Sequence, residues 1–244
     1  MLEAFLWGLV ATSSLLIGAL VVRFRPPTER TLGTVMAFGA GVLISALSFE
    51  LVAEAVEVSG GMGGTAAGFF AGAVVFTLGD LAISRWDYSN RKSIDGEPHK
   101  APSFAIVLGI LLDGVPESAV LGLTLLQTGQ IGVAMLVAVF VSNLPESIAA
   151  SSSLRASGWS HRRVMMLWTG IAVVCAVATM LGYALLDGAS PSTMAFILGF
   201  AGGAILAMLA TTMIPEAYEH AGRWAGMATV VGFAVAFGIN AVAA

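Results

Sequence analysis

Two nearly identical strings of this chain place a proline and a carboxylate inside hydrophobic sequence. "LLDGVPESAVLG" contains Pro116 and Glu117, and "VSNLPESIAASS" contains Pro145 and Glu146. A carboxylate at the centre of an apolar span costs about 2.5–3.5 kcal/mol on insertion scales, so it usually faces a protein interior or a water-filled path for ions. Proline lacks a backbone N–H and leaves the carbonyl four residues earlier without its helical partner. The two strings therefore predict carboxylate and carbonyl oxygens at a shared site, in helices broken at the prolines.

Each of these glutamates has a second polar residue one helical turn earlier. Asp113 precedes Glu117 by four positions and Asn143 precedes Glu146 by three, so each pair shares one helix face. No Lys, Arg or His lies in the interior of the apolar runs to neutralise these acids, which leaves protons or a divalent cation. Oxygen-rich groups of this kind bind divalent metals, so the four residues are the predicted metal ligands.

The composition indicates the environment of this site. Apolar residues make up 57% of the 244 positions and charged residues 11%, where soluble proteins carry about 25%. Eight continuous runs are each long enough to cross a bilayer core of roughly 30 Å as a helix, whereas β-barrels need alternating patterns. We predict an all-α membrane protein and a single polytopic domain over 1–244, with helices at 4–22, 31–56, 62–84, 102–126, 130–154, 162–186, 191–217 and 223–244.

The basic residues predict the orientation of these helices. All eleven lie in loops 1–2, 3–4, 5–6 and 7–8: Arg23, Arg25, Arg30, Arg85, Arg91, Lys92, Lys100, Arg155, Arg162, Arg163 and Arg223. The positive-inside rule makes that side cytoplasmic and puts both termini outside, most simply in a bacterial inner (plasma) membrane. No soluble basic domain is present to bind nucleic acid.

Internal repeats predict how the helices are arranged. A shift of 29 residues superposes the two Pro-Glu strings, and a shift of 162 aligns 40–57 with 202–219. Both matches relate helices that run in opposite directions, which predicts inverted repeats, with helices 1–3 matching 6–8 and helices 4–5 as a central pair. Chance similarity between Ala- and Gly-rich runs is the alternative explanation of the longer match.

Further polar residues outline a path on either side of the central site. The second run carries carboxylates toward the predicted outer mouth, and the seventh carries acids and a histidine toward the cytoplasmic mouth. For the outermost acids, a solvated helix end is the alternative. The residues predicted to line this path are Glu50, Glu54, Ser142, Glu216, Glu219 and His220.

These motifs and the order of eight helices resemble the ZIP (Zrt-, Irt-like protein) family of divalent metal transporters. Helix 4 of that family typically shows His-Asn-x-Pro-Glu-Gly, where this chain reads DGVPES, so Asp113 stands in place of the histidine. In helix 5, Pro145 and Glu146 match the family pattern, and Ser142 and Asn143 depart from it.

The resemblance implies a binuclear metal site on helices 4 and 5, with Glu117 and Glu146 as central ligands and a cation that moves toward the cytoplasm. Zn²⁺ is the first expectation, and because loss of the imidazole leaves mostly oxygen donors, Mn²⁺ or Fe²⁺ are alternatives. The resemblance is also the main support for a homodimer. The glycines Gly64, Gly68 and Gly72 permit close helix approach either within one chain or between two.

Two other functions use the same residues. A proton-coupled transporter of an organic solute would use Glu117 and Glu146 as a proton relay inside a large cavity. An intramembrane metalloenzyme would also gather acids at this depth, but it would need a histidine or a nucleophile with an adjacent base. The apolar runs contain no histidine, so the sequence favours a transporter over an enzyme.

Overall fold

The described part of the chain is a bundle of eight long helices. The computed structural model describes residues 1–24, 27–91 and 101–243, except for the side chains of 86–91, 101–106, 128, 185 and 243. Within these ranges the chain has no β-strand. The helices are α1 (Leu2–Phe24), α2 (Glu29–Ser59), α3 (Gly63–Arg91), α4 (Ala101–Thr128), α5 (Val133–Ala156), α6 (His161–Leu185), α7 (Pro191–Ala221) and α8 (Trp224–Ala243).

All eight helices are long and apolar enough to cross a membrane, so the protein is an integral, multi-pass membrane protein. The predicted runs match them, but α2 and α7, with 31 residues each, and α3, with 29, are longer than predicted. α2 and α7 each continue until a glycine with a φ of 61°, Gly60 or Gly222, ends the helix, because glycine adopts a positive φ without steric cost. The hydropathy pattern underestimated both helices because capping glycines, not polarity, end them.

The two ends of the bundle differ in charge. Successive helices alternate in direction, so every described Arg lies at the end that carries the α1–α2, α3–α4, α5–α6 and α7–α8 connections. We call this the basic end, and we call the other, formed by the connections 60–62, 129–132 and 186–190, the distal end. Arg25, Lys92 and Lys100 of the predicted basic loops lie outside the described residues.

The inverted repeat is visible in the backbone. α2 widens into a π-helical segment at Leu47–Val52, and α7 does so at Leu209–Met213. These segments begin 162 residues apart, as do the capping glycines, and this is the shift of the longer sequence match. Two independent backbone irregularities at one spacing argue against a chance match.

The helix packing follows the same symmetry. α3 packs against α7 as α8 packs against α2, and α1 packs against α5 as α6 packs against α4. If helices 1–3 are exchanged with helices 6–8, and α4 with α5, the α3–α7 contact becomes the α8–α2 contact. The α1–α5 contact becomes the α6–α4 contact in the same way. The predicted inverted arrangement, with α4 and α5 as the central pair, is therefore confirmed.

Glycines allow the closest of these helix contacts. A Cβ on Gly41 of α2 would overlap the Thr229 carbonyl oxygen of α8, and a Cβ on Gly203 of α7 would overlap the Phe69 carbonyl oxygen of α3. Gly68 and Gly72 contact the backbone of α7 in the same way. Of the three glycines predicted to permit close helix approach, Gly68 and Gly72 therefore serve packing within one chain.

Replacement of either symmetry-related glycine by alanine tests this packing. We expect Gly41→Ala and Gly203→Ala each to lower the free energy of unfolding by about 1–3 kcal/mol, because the added methyl forces two backbones apart. Gly170→Ala in α6 is the matched control, since its Cβ would meet no atom within 4 Å. Thermal unfolding in detergent measures the effect, and equal melting temperatures for all three variants would contradict the assigned contacts.

Candidate metal centre

The two Pro-Glu strings lie within continuous helices. α4 passes through Pro116 and α5 passes through Pro145 without a break, so the prediction of broken helices is wrong. Packing on both sides holds each helix together, since α4 lies against α6 and α5 against α1. Proline still lacks an N–H to donate, and this absence frees a carbonyl without a change of secondary structure.

Glu117 is the most deeply buried carboxylate of the predicted set. Its side chain is 1% exposed. The Ser142 hydroxyl of α5 lies 3.4 Å from its Oε2 and 3.1 Å from the Val139 carbonyl oxygen, and can donate to either. Glu117 Oε1 and the buried Asn143 Nδ2 have no hydrogen-bond partner among the described residues. The α4–α5 contact is therefore built around an incompletely satisfied carboxylate.

A cavity on the basic side of Glu117 brings together the other predicted acids. It has a volume of about 350 Å³ and is lined by residues of α4, α5 and α7, among them Asp113, Glu146, Thr212 and Glu216. We call it the proximal cavity. The Glu146 carboxylate lies near enough to those of Asp113, Glu117 and Glu216 to be repelled by them. No Lys, Arg or His is among the described residues that line this cavity, so its field favours cations.

The carboxylates do not form a closed coordination cage in this conformation. Among the described residues, no group of three or more His, Cys, Asp or Glu side chains is close enough to hold a metal ion. Of the predicted ligands, Asp113 and Glu146 line the proximal cavity while Glu117 and Asn143 do not, and coordination of one ion by all four stays a prediction. Direct ligation requires rotation of side chains or movement of α4 relative to α5.

A second acidic cavity lies at the distal end. It has a volume of about 560 Å³ and is lined by Glu50 and Glu54 of α2 with polar residues of α4, the α4–α5 connection and α8, namely Thr124, Gln127, Gln130 and Asn240. We call it the distal cavity. In the described part of the chain, no Lys, Arg or His lines it, so both cavities favour cations over anions.

Glu50 also stabilises the start of α5. It accepts a hydrogen bond from the Met135 backbone N–H, which is one of the N–H groups left free at a helix N-terminus. A carboxylate there also interacts favourably with the helix dipole. Gly132 leaves room for this contact, since a Cβ on it would lie 2.8 Å from Glu50 Oε2.

An apolar layer separates the distal cavity from Glu117. Leu121 of α4 lies one turn from Glu117 toward the distal end, and Met135 and Val139 of α5 lie one to two turns from Ser142 in the same direction. All three side chains are fully buried. Asp113 lies only one turn from Glu117 on the other side. In this conformation Glu117 is therefore nearer to the proximal cavity than to the distal one.

Three of the predicted path residues, Ser142, Glu219 and His220, line neither cavity, and Ser142 is buried beside Glu117. Glu219 is exposed and lines neither cavity. This position agrees with the alternative that the outermost acids belong to a solvated helix end. His220 is half-buried next to Gly33 of α2 and interacts electrostatically with Glu216. Because α7 extends to Ala221, Glu219 and His220 both lie inside that helix rather than after it.

The structure adds residues that the sequence did not identify. Thr212 lines the proximal cavity, and it lies four positions before Glu216, the same spacing that singled out Asp113. Asp80 of α3 lies near enough to Asp113 for the two charges to interact. The sequence did contain a signal for Asp80, since it is the one charged residue of the predicted third run. The π-helical segments had no sequence signal apart from the 162-residue repeat.

Comparison with known proteins gives one weak but extensive similarity. No protein-family model matches the chain. A protein of Arabidopsis thaliana named "Putative zinc transporter" is 27% identical over 208 residues, which cover 84% of this chain and 33% of that protein. The chain therefore spans about a third of the length of the curated relative that it matches.

Substitution of Glu50 tests its contact with the helix. We expect Glu50→Ala to lower the free energy of unfolding by about 1–2 kcal/mol, because it removes the acceptor for the α5 N-terminus. Glu50→Gln keeps an acceptor oxygen and should retain most of this stability. Thermal unfolding of both variants in detergent is the measurement. If the glutamine variant were as unstable as the alanine variant, the charge rather than the hydrogen bond would be responsible.

Proposed function

We propose that this protein transports a divalent metal cation across the membrane, from the distal end to the basic end. With the basic end in the cytoplasm and both termini outside, the cation moves into the cell. Zn²⁺ is the first candidate and Mn²⁺ or Fe²⁺ are the alternatives. The similarity to the plant protein named a zinc transporter supports a metal as the substrate.

The observation that carries this proposal is the distribution of acids along the bundle. Carboxylates line a cavity at each end, and Glu117 lies buried between the two cavities. Burial of several carboxylates without cationic partners is unfavourable in an apolar medium. A divalent cation that moves along this path offsets the repulsion between the carboxylates at each stage. Transport of such a cation therefore explains why the carboxylates are distributed along the bundle.

The proposed ligands are the carboxylates of Asp113, Glu117 and Glu146, with the amide oxygen of Asn143. Glu117 Oε1 and Asn143 Nδ2 lack partners among the described residues. A cation supplies the missing partner of the carboxylate oxygen, and a metal-bound water can accept from the amide. Passage from the distal cavity requires the layer of Leu121, Met135 and Val139 to open, which a movement of α4 and α5 against α2 and α7 would achieve.

A proton-coupled transporter of an organic solute remains the second candidate. The observation in its favour is that the described acids line cavities of hundreds of Å³ rather than a compact cage. In that mechanism Glu117 and Glu146 carry protons and the cavities hold the solute. The two candidates differ in whether metal ions cross the membrane without any added solute.

Neutralisation of the central carboxylates tests the first proposal. We expect Glu117→Gln and Glu146→Gln to reduce zinc uptake by about tenfold or more, because each removes a charged ligand. Proteoliposomes that enclose a zinc-sensitive dye report the rate. Glu29→Gln is the control, since Glu29 is an exposed carboxylate in the first turn of α2, away from both cavities.

Two outcomes would contradict parts of this proposal. Uptake of zinc, manganese and iron by both glutamine variants at the parent rate would exclude the ligand assignment. No flux of any of the three ions through the folded parent protein would exclude the proposed substrate class and favour the organic-solute transporter.

The oxygen-rich ligand set also predicts a weak preference among metals. We expect Asp113→His to increase the ratio of zinc to manganese uptake by roughly tenfold, because imidazole favours Zn²⁺ while carboxylates suit Mn²⁺. Competition between the two ions in the same vesicles measures this ratio. An unchanged ratio with retained uptake would show that Asp113 does not contact the transported ion.

A further inference from the structure

A third cavity lies at the basic end, apart from the proposed metal path. It has a volume of about 270 Å³ and is lined by Val22, Arg23 and Phe24 at the end of α1, by Arg155 at the end of α5, and by His161 at the start of α6. None of these residues lines the proximal or the distal cavity. We call it the arginine pocket.

The described charges of the arginine pocket are all of one sign. Both guanidinium groups lie near enough to the His161 imidazole to interact with it electrostatically. No carboxylate is among the lining residues that the structure describes. Three cationic or potentially cationic groups that converge without a counter-charge repel one another, and an anion bound among them would remove this repulsion.

The donor groups are held in place for such an anion. Arg155 Nη1 donates to the Trp159 carbonyl oxygen at 2.6 Å, which fixes the planar guanidinium and leaves its other N–H groups for a ligand. His161 is the first residue of α6, whose cap Ser160 accepts from the Arg163 N–H at 3.3 Å. The 25-residue α6 therefore directs the positive end of its dipole toward the pocket. Planar guanidinium groups and helix N-termini both bind phosphate oxygens well.

The surroundings of the pocket are apolar and lie at the level of the membrane surface. Arg23 is in the last turn of the membrane-spanning α1, and the neighbouring Phe24 side chain is 77% exposed. Val22 completes the apolar part of the lining. A ligand that fits has a phosphate for the arginines and an apolar portion for these two side chains.

We propose that the arginine pocket binds the phosphate group of an anionic phospholipid at the basic-end surface of the membrane. Basic pockets between membrane helices on the cytoplasmic side are suited to such headgroups. The lipid would connect the ends of α1 and α5 to the start of α6, and α1 packs against both of the other two helices. This inference is independent of which solute the protein transports.

Native mass spectrometry of the purified full chain, with phosphatidylglycerol or phosphatidylcholine added, tests the proposal. We expect the parent to retain phosphatidylglycerol in preference, and Arg23→Gln/Arg155→Gln to reduce its retention by roughly tenfold or more. Arg162→Gln/Arg163→Gln is the matched control. It removes the same charge from exposed residues at the same end that do not line the pocket, and it should retain the lipid.

A second variant and a competitor complete the test. If Arg23→Gln/Arg155→Gln does not fold, Arg23→Gln alone leaves the Arg155 contact with Trp159 intact and should still weaken retention severalfold. Equal retention of phosphatidylglycerol by the pocket variant and the control would overturn the proposal. Displacement of the lipid by millimolar inorganic phosphate would overturn the assignment to a lipid and identify a soluble phosphate as the ligand.

Discussion

The energetic problem of this protein is the burial of the Asp113, Glu117 and Glu146 carboxylates in a membrane, with no Lys or Arg beside them in the part of the chain that the structure describes. Glu117 is almost fully enclosed, and Asp113, Glu146 and Glu216 share one cavity on its basic side. In an apolar medium these groups repel one another and lack the solvation that water provides. Only protons or cations that enter from outside can offset this cost, so the acids make the bundle receptive to mobile positive charge. The packing of the helices fixes where in the bundle this negative charge lies.

The inverted repeat explains why the acids lie on both sides of a central plane. α2 brings Glu50 and Glu54 to the distal end, and α7, its counterpart, brings Glu216 to the basic end. Each helix contains a π-helical segment at the equivalent position, next to or within the stretch that carries its acids. π-Helical segments rotate the following residues relative to a regular α-helix and often occur at functional sites. The same structural unit, used twice in opposite directions, therefore contributes acids to both cavities.

Glu50 has two roles in the structure. Its carboxylate accepts from the Met135 N–H at the start of α5 and also lines the distal cavity. The position of α5, and with it of Ser142 and Glu146, is thereby coupled to the charge of a residue in the distal mouth. A cation that interacts with Glu50 would weaken its hold on α5, which is the helix that must move if the apolar layer is to open.

The eight membrane spans, the inverted repeats and the presence of acids inside the spans could all be predicted from the amino-acid sequence, because hydropathy, charge and Pro-Glu spacing are local properties of the chain. The sequence did not determine the length of α2 and α7, whose capping glycines lie beyond the apolar runs, nor the continuity of α4 and α5 through their prolines. Only the tertiary structure placed Glu216 beside Glu146 and Asp80 beside Asp113. Those contacts join separate helices, and their geometry depends on how glycine-mediated packing and the π-helical segments rotate each helix against its neighbours.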